Sequence, residues 1–309
     1  MQIFITGGTG FIGHYVAKEL LQGGHTLTIL TRHPGKIPAF LKNSSVNLLE
    51  GSIYDAAVIS RGLENCEACI HIAFGWGETP LSMLENDTRA TVLVLQAAAK
   101  AGCEKFIYTS STAAMGKFRP VMNENAASLP LDLYGATKAA GEAYVLGFRG
   151  TRMKRNIIRP GYTFGEPAFG PSDGVSQPDR RFAQMAQSII KGKDIHLIKN
   201  DGTQFVHARD QARLFHRLLD SDLNEEIFLG LGSAWISWKS IAESMLAAYE
   251  KIAGRASASK IVEQDLGWSE RPMLYSVEKI ADVFNLHFDA RAEMERHVEW
   301  QLKATLANP

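Results

Sequence analysis

The apolar positions of this chain change period as they run, and the changes mark out alternating strands and helices. Ile3, Phe4 and Ile5 form a continuous apolar run, the pattern of a strand buried on both faces of a parallel sheet. Glycines follow at 7, 10 and 13, after which Val16, Leu20 and Leu21 recur at helical spacing. Similar runs predict strands at Thr26–Leu30, Val46–Leu49, Ala68–Ala73, Lys105–Thr109 and Asn156–Arg159. Helical patterns cover Asp55–Leu63, Pro80–Ala101 and residues 134–148; in the second, Leu84, Thr88, Thr91, Leu95 and Ala98 share one face. Strands alternating with helices imply right-handed crossovers and an α/β architecture with a doubly wound parallel sheet.

After Pro160 the pattern loosens. The stretch Glu166–Arg181 holds prolines at 167, 171 and 178 and glycines at 170 and 174, which predicts a loop acting as a lid. A helix over Phe182–Lys191 and a short strand near Ile195–Ile198 come next. Asp210–Asp220 is amphipathic, with Ala212, Phe215, Leu218 and Leu219 inward. Ile227–Leu231, a helix over Trp238–Lys251 and the tail complete the pattern. No repeat or low-complexity linker separates the halves, so the two lobes are expected to interleave.

The first strand, the glycine turn and the first helix together make a phosphate-binding unit. Thr6 precedes Gly7-x-x-Gly10-x-x-Gly13. One glycine permits a tight turn, one lets a pyrophosphate approach the backbone, and the last lets the helix pack close to the strand. The N–H groups of the first helical turn, at Phe11, Ile12 and Gly13, are then offered to the anion. Residues 1–160 accordingly read as a dinucleotide-binding core. Residues 161–309 read mainly as a smaller substrate-binding lobe, with some segments returning to the core.

Charge adds little. Thirty-three basic and 33 acidic residues leave no net charge, which gives no support for nucleic acid or an anionic membrane as partner. No apolar run approaches the ~20 residues needed to span a bilayer, and the first strand begins too early to leave room for a signal peptide. The expectation is a soluble cytoplasmic protein acting on a small molecule. Cysteines 66, 69 and 103 do not make a disulfide framework. Cys66-x-x-Cys69 has no second ligand pair, so these are read as buried thiols and no metal is expected.

A second constellation carries chemistry. The fifth strand ends in Thr109-Ser110-Ser111-Thr112, and 23 residues beyond Ser111 stands Tyr134, followed at helical spacing by Lys138. Four apart on a helix, these two share a face. A free tyrosine ionises at ~10, too high for a base at neutral pH, and a neighbouring ammonium is expected to bring it down.

With the Thr-Gly-x-x-Gly-x-x-Gly turn, the Ser-Ser strand end and Tyr134-Gly-Ala-Thr-Lys138 in place, the chain resembles the extended branch of the short-chain dehydrogenase/reductase superfamily over most of its length. That resemblance implies a Rossmann core and a Ser–Tyr–Lys catalytic set. Tyr134 would exchange a proton with substrate oxygen, Lys138 would bind the nicotinamide ribose and tune Tyr134, and Ser111 would position the substrate, with Ser110 as second choice. Around the cofactor it implies Thr6, Gly7, Gly10, Phe11, Ile12 and Gly13 at the pyrophosphate. It further implies Thr31, Arg32, Ser52, Ile53 and Ala73 along the strand ends, and Pro160 and Gly161 near the carboxamide. Helices 84–101 and 134–148 are faces that family members often pair, which implies a homodimer. Ser52 stands where members usually carry an Asp that contacts adenine.

Cofactor choice turns on the end of the second strand. An acidic residue there normally binds the adenosine ribose. Here Thr31-Arg32 occupies it, and no Asp or Glu lies between Glu19 and Glu50. A guanidinium accepts a 2′-phosphate that a carboxylate would repel, so NADP(H) is expected over NAD(H). For the substrate, many nucleotide-sugar members carry an arginine between a Gly-Thr-Gln-like turn and a Phe-Val-His run. Here Gly202-Thr203-Gln204 joins Phe205 directly. A carbonyl reductase is therefore the leading expectation, a nucleotide-sugar epimerase/dehydratase the second, and a non-catalytic dinucleotide sensor the third. Expected pocket walls are Phe74, Trp76, Met115, Phe164 and Phe169, with Trp268 and Arg271 from the tail; His207 is expected to be structural.

Overall fold

A computed structural model describes residues 1–169 and 180–307. In chain order the elements are β1 (Gln2–Thr6), α1 (Phe11–Gln22), β2 (Thr26–Thr31), β3 (Val46–Glu50), α2 (Ala56–Gly62) and β4 (Ala68–His71). Then come α3 (Pro80–Met83), α4 (Arg89–Ala101), β5 (Lys105–Thr109), α5 (Leu133–Gly147), β6 (Lys154–Pro160) and β7 (Thr163–Phe164). The remainder is α6 (Arg181–Ile190), β8 (Ile195–Ile198), β9 (Gly202–Thr203), β10 (Val206–His207), α7 (Ala208–Asp220), β11 (Ile227–Gly230), β12 (Ile236–Ser237), α8 (Trp238–Ala253), β13 (Ile261–Gln264), α9 (Glu278–Phe284) and α10 (Ala290–Ala307).

Two compact units emerge. The first comprises residues 1–161, 208–230 and 276–286; the second comprises 162–207, 231–275 and 287–309. Unit 1 is built on a seven-stranded sheet of order β11-β6-β5-β4-β1-β2-β3, in which every neighbouring pair is parallel. All seven strands therefore end at the same edge. The order reverses between β1 and β4, and such a reversal opens a crevice outside the strand ends where ligands bind. Ile3, Phe4, Ile5, Ile29 and Ile107 are essentially inaccessible, as a sheet covered on both faces requires.

The helix expected over Pro80–Ala101 is interrupted. Leu84–Thr88 forms a π-turn between α3 and α4. The wider turn rotates what precedes it, so Leu84, expected inward with Thr88 and Thr91, is 49% exposed while Asp87 is 1% exposed.

Unit 2 packs α6, α8 and α10 around Phe164, Phe182, Phe205, Trp238 and Met245. Its strands are short and pair two by two: β10 with β7, β12 with β9, and β13 with β8. Residues 170–179, most of the expected lid, lie outside the described residues. Among the described residues, no helix is long and apolar enough to cross a membrane.

Candidate active site

The turn after β1 is shaped by what cannot fit in it. Gly7 has φ +74°, and a Cβ there would stand 2.6 Å from the Ala73 nitrogen. A Cβ on Gly13 would stand 1.9 Å from the Gly7 carbonyl oxygen, so α1 can approach the turn only through glycine. The Gly10 N–H donates to the Gly7 carbonyl at 3.0 Å, and Gly10 then caps α1 without a side chain. The first-turn N–H groups of Phe11, Ile12 and Gly13, at the positive end of the helix dipole, thus open toward the sheet's C-terminal edge. This cradle fits the pyrophosphate of a dinucleotide: it offers backbone donors and no side-chain bulk.

Beneath it lies a residue that sequence reasoning missed. Thr6 Oγ1 is 2.6 Å from His71 Nδ1 and accepts the Ala73 N–H at 3.3 Å, while His71 Nε2 is 3.1 Å from Thr91 Oγ1. Burial, seconded by the Lys138 charge, pushes the His71 pKa down to about 3. A neutral imidazole therefore bridges two hydroxyls and ties the cradle to α4.

Farther along the same edge, Thr31 is buried; its hydroxyl accepts the His33 N–H at 3.2 Å and its carbonyl accepts the Gly51 N–H at 3.0 Å. Arg32 is exposed, and its charge reaches Tyr54. Ser52 accepts the Tyr54 N–H at 3.3 Å, and Ile53 is half-buried beside it. Pro160 ends β6, and the Gly161 N–H is bound to the Gly230 carbonyl at 2.9 Å. Apart from Lys138, which lies on α5, every residue expected at the cofactor thus lies at or just beyond the end of β1, β2, β3, β4 or β6, or in the first turn of α1.

Tyr134 and Lys138 are delivered by the start of α5. Asp132 caps that helix by accepting the Gly135 N–H at 2.6 Å. A Cβ on Gly135 would stand 2.3 Å from the Ala113 carbonyl, and one on Gly141 would stand 2.3 Å from the Tyr108 hydroxyl. These two glycines let α5 press against the end of β5, where Ser111 caps the short turn Thr112–Ala114 and faces Tyr134. Ser110 points the other way. It is 2% exposed and donates to Glu142, whose carboxylate holds Arg159 by two hydrogen bonds of 2.7 Å.

The electrostatics differ from expectation. Lys138 is 3% exposed, and its ammonium lies 3.4 Å from Asp87, which the π-turn has brought inward. Asp87 also accepts from the Thr137 hydroxyl at 3.3 Å and from the Gly75 N–H at 3.3 Å. Burial lowers the Lys138 pKa, and Asp87 opposes that by favouring the charged form. The sequence predicts a Tyr134 lowered by Lys138, yet its pKa is raised. Burial is the main cause, Ser111 counteracts it, and the Asp87 and Asp132 charges add to the rise. A lysine already paired with a carboxylate presents little net charge to the phenol.

The expected pocket walls divide. Phe74 and Trp76 are 38% and 64% exposed, and the Phe74 ring meets Tyr134 edge-on at 5.1 Å with the Lys138 ammonium 4.8 Å above it. Met115 and Phe164 are fully buried core residues, correcting their assignment as walls. In unit 2, Phe169 is half-buried, while Trp268 and Arg271 are exposed. There, too, His207 is buried 3.7 Å from Glu166, whereas Tyr134 belongs to unit 1. All three thiols are buried, and burial pushes Cys66 up to about 11 and Cys103 up to about 12.

Asp87 had a signal in the sequence. It stands four residues before Thr91 on the stripe that continues to Val94, Leu95 and Ala98, an acid where an apolar residue belongs. His71 sits at the end of an apolar strand and had none.

Comparison with known proteins places this geometry among relatives. The model of the NAD dependent epimerase/dehydratase family matches residues 3–230. A UDP-N-acetyl-alpha-D-glucosaminuronate decarboxylase of Bacillus cytotoxicus is 29% identical over 250 residues, covering 74% of each chain. The structure of UDP-glucose 4-epimerase from Thermotoga maritima with UDP-glucose superposes with a TM-score of 0.79 at 19% identity over 99% of both chains. UDP-glucuronic acid 4-epimerase from Bacillus cereus in complex with NAD superposes with a TM-score of 0.76 at 20% identity, again over 99% of both chains. At these identities the two structures speak for the fold.

Proposed function

Because the chain belongs to the NAD dependent epimerase/dehydratase family and is an NAD(P)-dependent enzyme, we propose that it acts on a nucleotide sugar, oxidising one hydroxyl and reducing the resulting carbonyl within a turnover. The family match and the decarboxylase relative support this over the carbonyl reductase that the sequence favoured. The observation that carries it is the meeting of Ser111, Tyr134 and Lys138 at the same sheet edge as the glycine cradle.

In this reading Tyr134 takes the proton from the sugar hydroxyl and later returns it to the carbonyl oxygen. Ser111 holds that oxygen against the phenol. Lys138, kept charged by Asp87, binds the ribose hydroxyls of the cofactor. The nicotinamide, when bound, supplies the two-electron acceptor and donor. The β5 end carries hydroxyls and no carboxylate through Thr109–Thr112, which favours epimerisation over loss of water, a step that needs an acid to protonate the leaving hydroxyl. NADP(H) is the preferred cofactor on the strength of exposed Arg32 and the absence of an acid beside it. A homodimer pairing the outer faces of α4 and α5 belongs to the same reading; a monomeric mass in solution would contradict it.

The reductase reading keeps one specific support. Gln204 is held by the Gly232 and Tyr275 backbones, so the join to Phe205 supplies no cation for a diphosphate. The deciding experiment incubates the enzyme with UDP-sugars and, separately, with aldehydes and ketones, using both cofactors. Isomerised sugar without net cofactor change supports the proposal. Stoichiometric NADPH consumption with a carbonyl supports the reductase, and cofactor binding without turnover of any substrate supports the dinucleotide-sensing reading.

A further inference from the structure

Unit 1 carries a second convergence of polar side chains, away from the catalytic edge. His25 immediately precedes β2, and His216 and Asp220 are one turn apart on α7 and share a face. His25 stands at the opposite end of β2 from Thr31 and Arg32, so this cluster belongs to the N-terminal edge of the sheet.

Distances within the cluster suit a metal ion. His216 Nε2 is 3.5 Å from one Asp220 carboxylate oxygen, and His25 Nε2 is 4.0 Å from the other. One nitrogen from each ring and one oxygen of Asp220 all lie within 4.8 Å of one another. Tetrahedral zinc with bonds of ~2.0–2.1 Å keeps its ligand atoms about 3.4 Å apart. Closing the set takes movements of about an ångström, and Asp220, 55% exposed, has room to supply much of them.

Two surrounding features prepare the His216 ring. Glu19 Oε1 is 3.3 Å from His216 Nδ1. A proton on Nδ1 donated to Glu19 leaves the Nε2 lone pair directed at Asp220, the carboxylate–histidine arrangement that orients metal ligands. A Cβ on Gly23 would stand 2.5 Å from His216 Cε1, so the ring is seated flush against a glycine.

We propose that His25, His216 and Asp220 bind a borderline divalent transition-metal ion of the zinc type, with water completing the shell. His25 leads into β2 and Asp220 ends α7, so the ion fastens α7 to the sheet edge. Its role is structural, and it is independent of the nucleotide-sugar proposal.

The test uses metal-free protein. Zinc chloride is titrated calorimetrically, and cobalt chloride is followed by visible absorption. The expected result is one equivalent bound, intense four-coordinate cobalt bands, a raised melting temperature and unaltered dinucleotide affinity. His216→Ala should lose at least ~100-fold in zinc affinity, and Glu19→Gln, which removes only the orienting partner, about 10-fold. Should His216→Ala fold poorly, Asp220→Asn serves instead with the same expected direction. Absence of saturable one-to-one binding overturns the site, as does undiminished affinity in the folded ligand variants.

Discussion

The glycine cradle and the Tyr134 strip lie on one sheet edge and are built on opposite principles. Around Gly7, Gly10 and Gly13 the working groups are backbone N–H donors, and a single added carbon would stand 1.9 Å from a carbonyl oxygen. Around Tyr134 the working groups are side chains, set by burial and by the Asp87 charge. On the proposed function the first region recognises by shape and fails abruptly when altered. The second, on the same proposal, acts by proton affinity, which can be graded without touching the fold. Binding and chemistry should therefore separate under mutation.

The sharpest separation is Tyr134→Phe. It removes one hydroxyl and leaves the ring against Phe74, so the cradle is untouched. Positioned acid–base catalysis contributes roughly 10²–10⁴-fold, and kcat should fall by that factor while the cofactor dissociation constant, read by fluorescence quenching, stays put. A parallel loss of cofactor affinity would erase the distinction between the two regions.

Gly13→Ala is the converse. Its methyl cannot be accommodated unless α1 moves away from the Gly7 turn, an overpacking cost at the upper end of about 1–3 kcal/mol. Cofactor affinity should drop by roughly 100-fold for NADH and NADPH alike, since a loss of about 1.4 kcal/mol is tenfold. A melting curve and two binding isotherms check it; unchanged affinity for both would mean that the cradle is not where the phosphates sit.

These two regions were also unequally legible. The glycine spacing is local in sequence and sterically strict, and the Tyr–Lys pair follows from helical period, so both could be read directly from the sequence. Nothing in the period announced the π-turn at Leu84–Thr88, because one extra residue in a turn leaves composition unchanged. Asp87, although its place on the stripe through Thr91 and Ala98 marked it, was missed as the partner of Lys138, and the direction of the Tyr134 shift with it. Unit 2 was less legible for a different reason. On α10 the inward face carries His297, Gln301 and Thr305 among its apolar residues, which flattens the apolar stripe. Strand β13 has one exposed and one half-buried apolar residue, too little to register as a run.

Arg32→Ala sharpens the comparison at the edge of the binding region, where recognition passes from backbone to a side chain. Loss of a hydrogen bond to a charged group costs about 1.5–3 kcal/mol. NADPH affinity should weaken by that amount and NADH affinity should hold. Equal losses would remove the 2′-phosphate assignment and leave Arg32 as a solvated surface residue.

The smallest effect, and the one most specific to the catalytic region, is expected from Asp87→Asn. The amide keeps the side chain's size and one acceptor oxygen, which serves Lys138 and Thr137 at the cost of the Gly75 N–H bond, but not its charge. Because the Asp87 charge raises the pKa of both Tyr134 and Lys138, removing it lowers both. In the proposed mechanism Tyr134 takes a substrate proton only as phenolate, so the rate of hydroxyl oxidation should climb as pH rises through its pKa. With that pKa lowered, the climbing limb moves to more acid pH. Lys138 loses its proton earlier as pH rises, so cofactor binding should weaken at a less alkaline pH than in the parent enzyme. The two limbs move together toward acid. Full pH profiles of kcat and of cofactor affinity read this displacement separately from any general loss. A packing role for Asp87 would instead depress kcat evenly across pH with both limbs in place, and the proton affinity of Tyr134 would then have to be set without it.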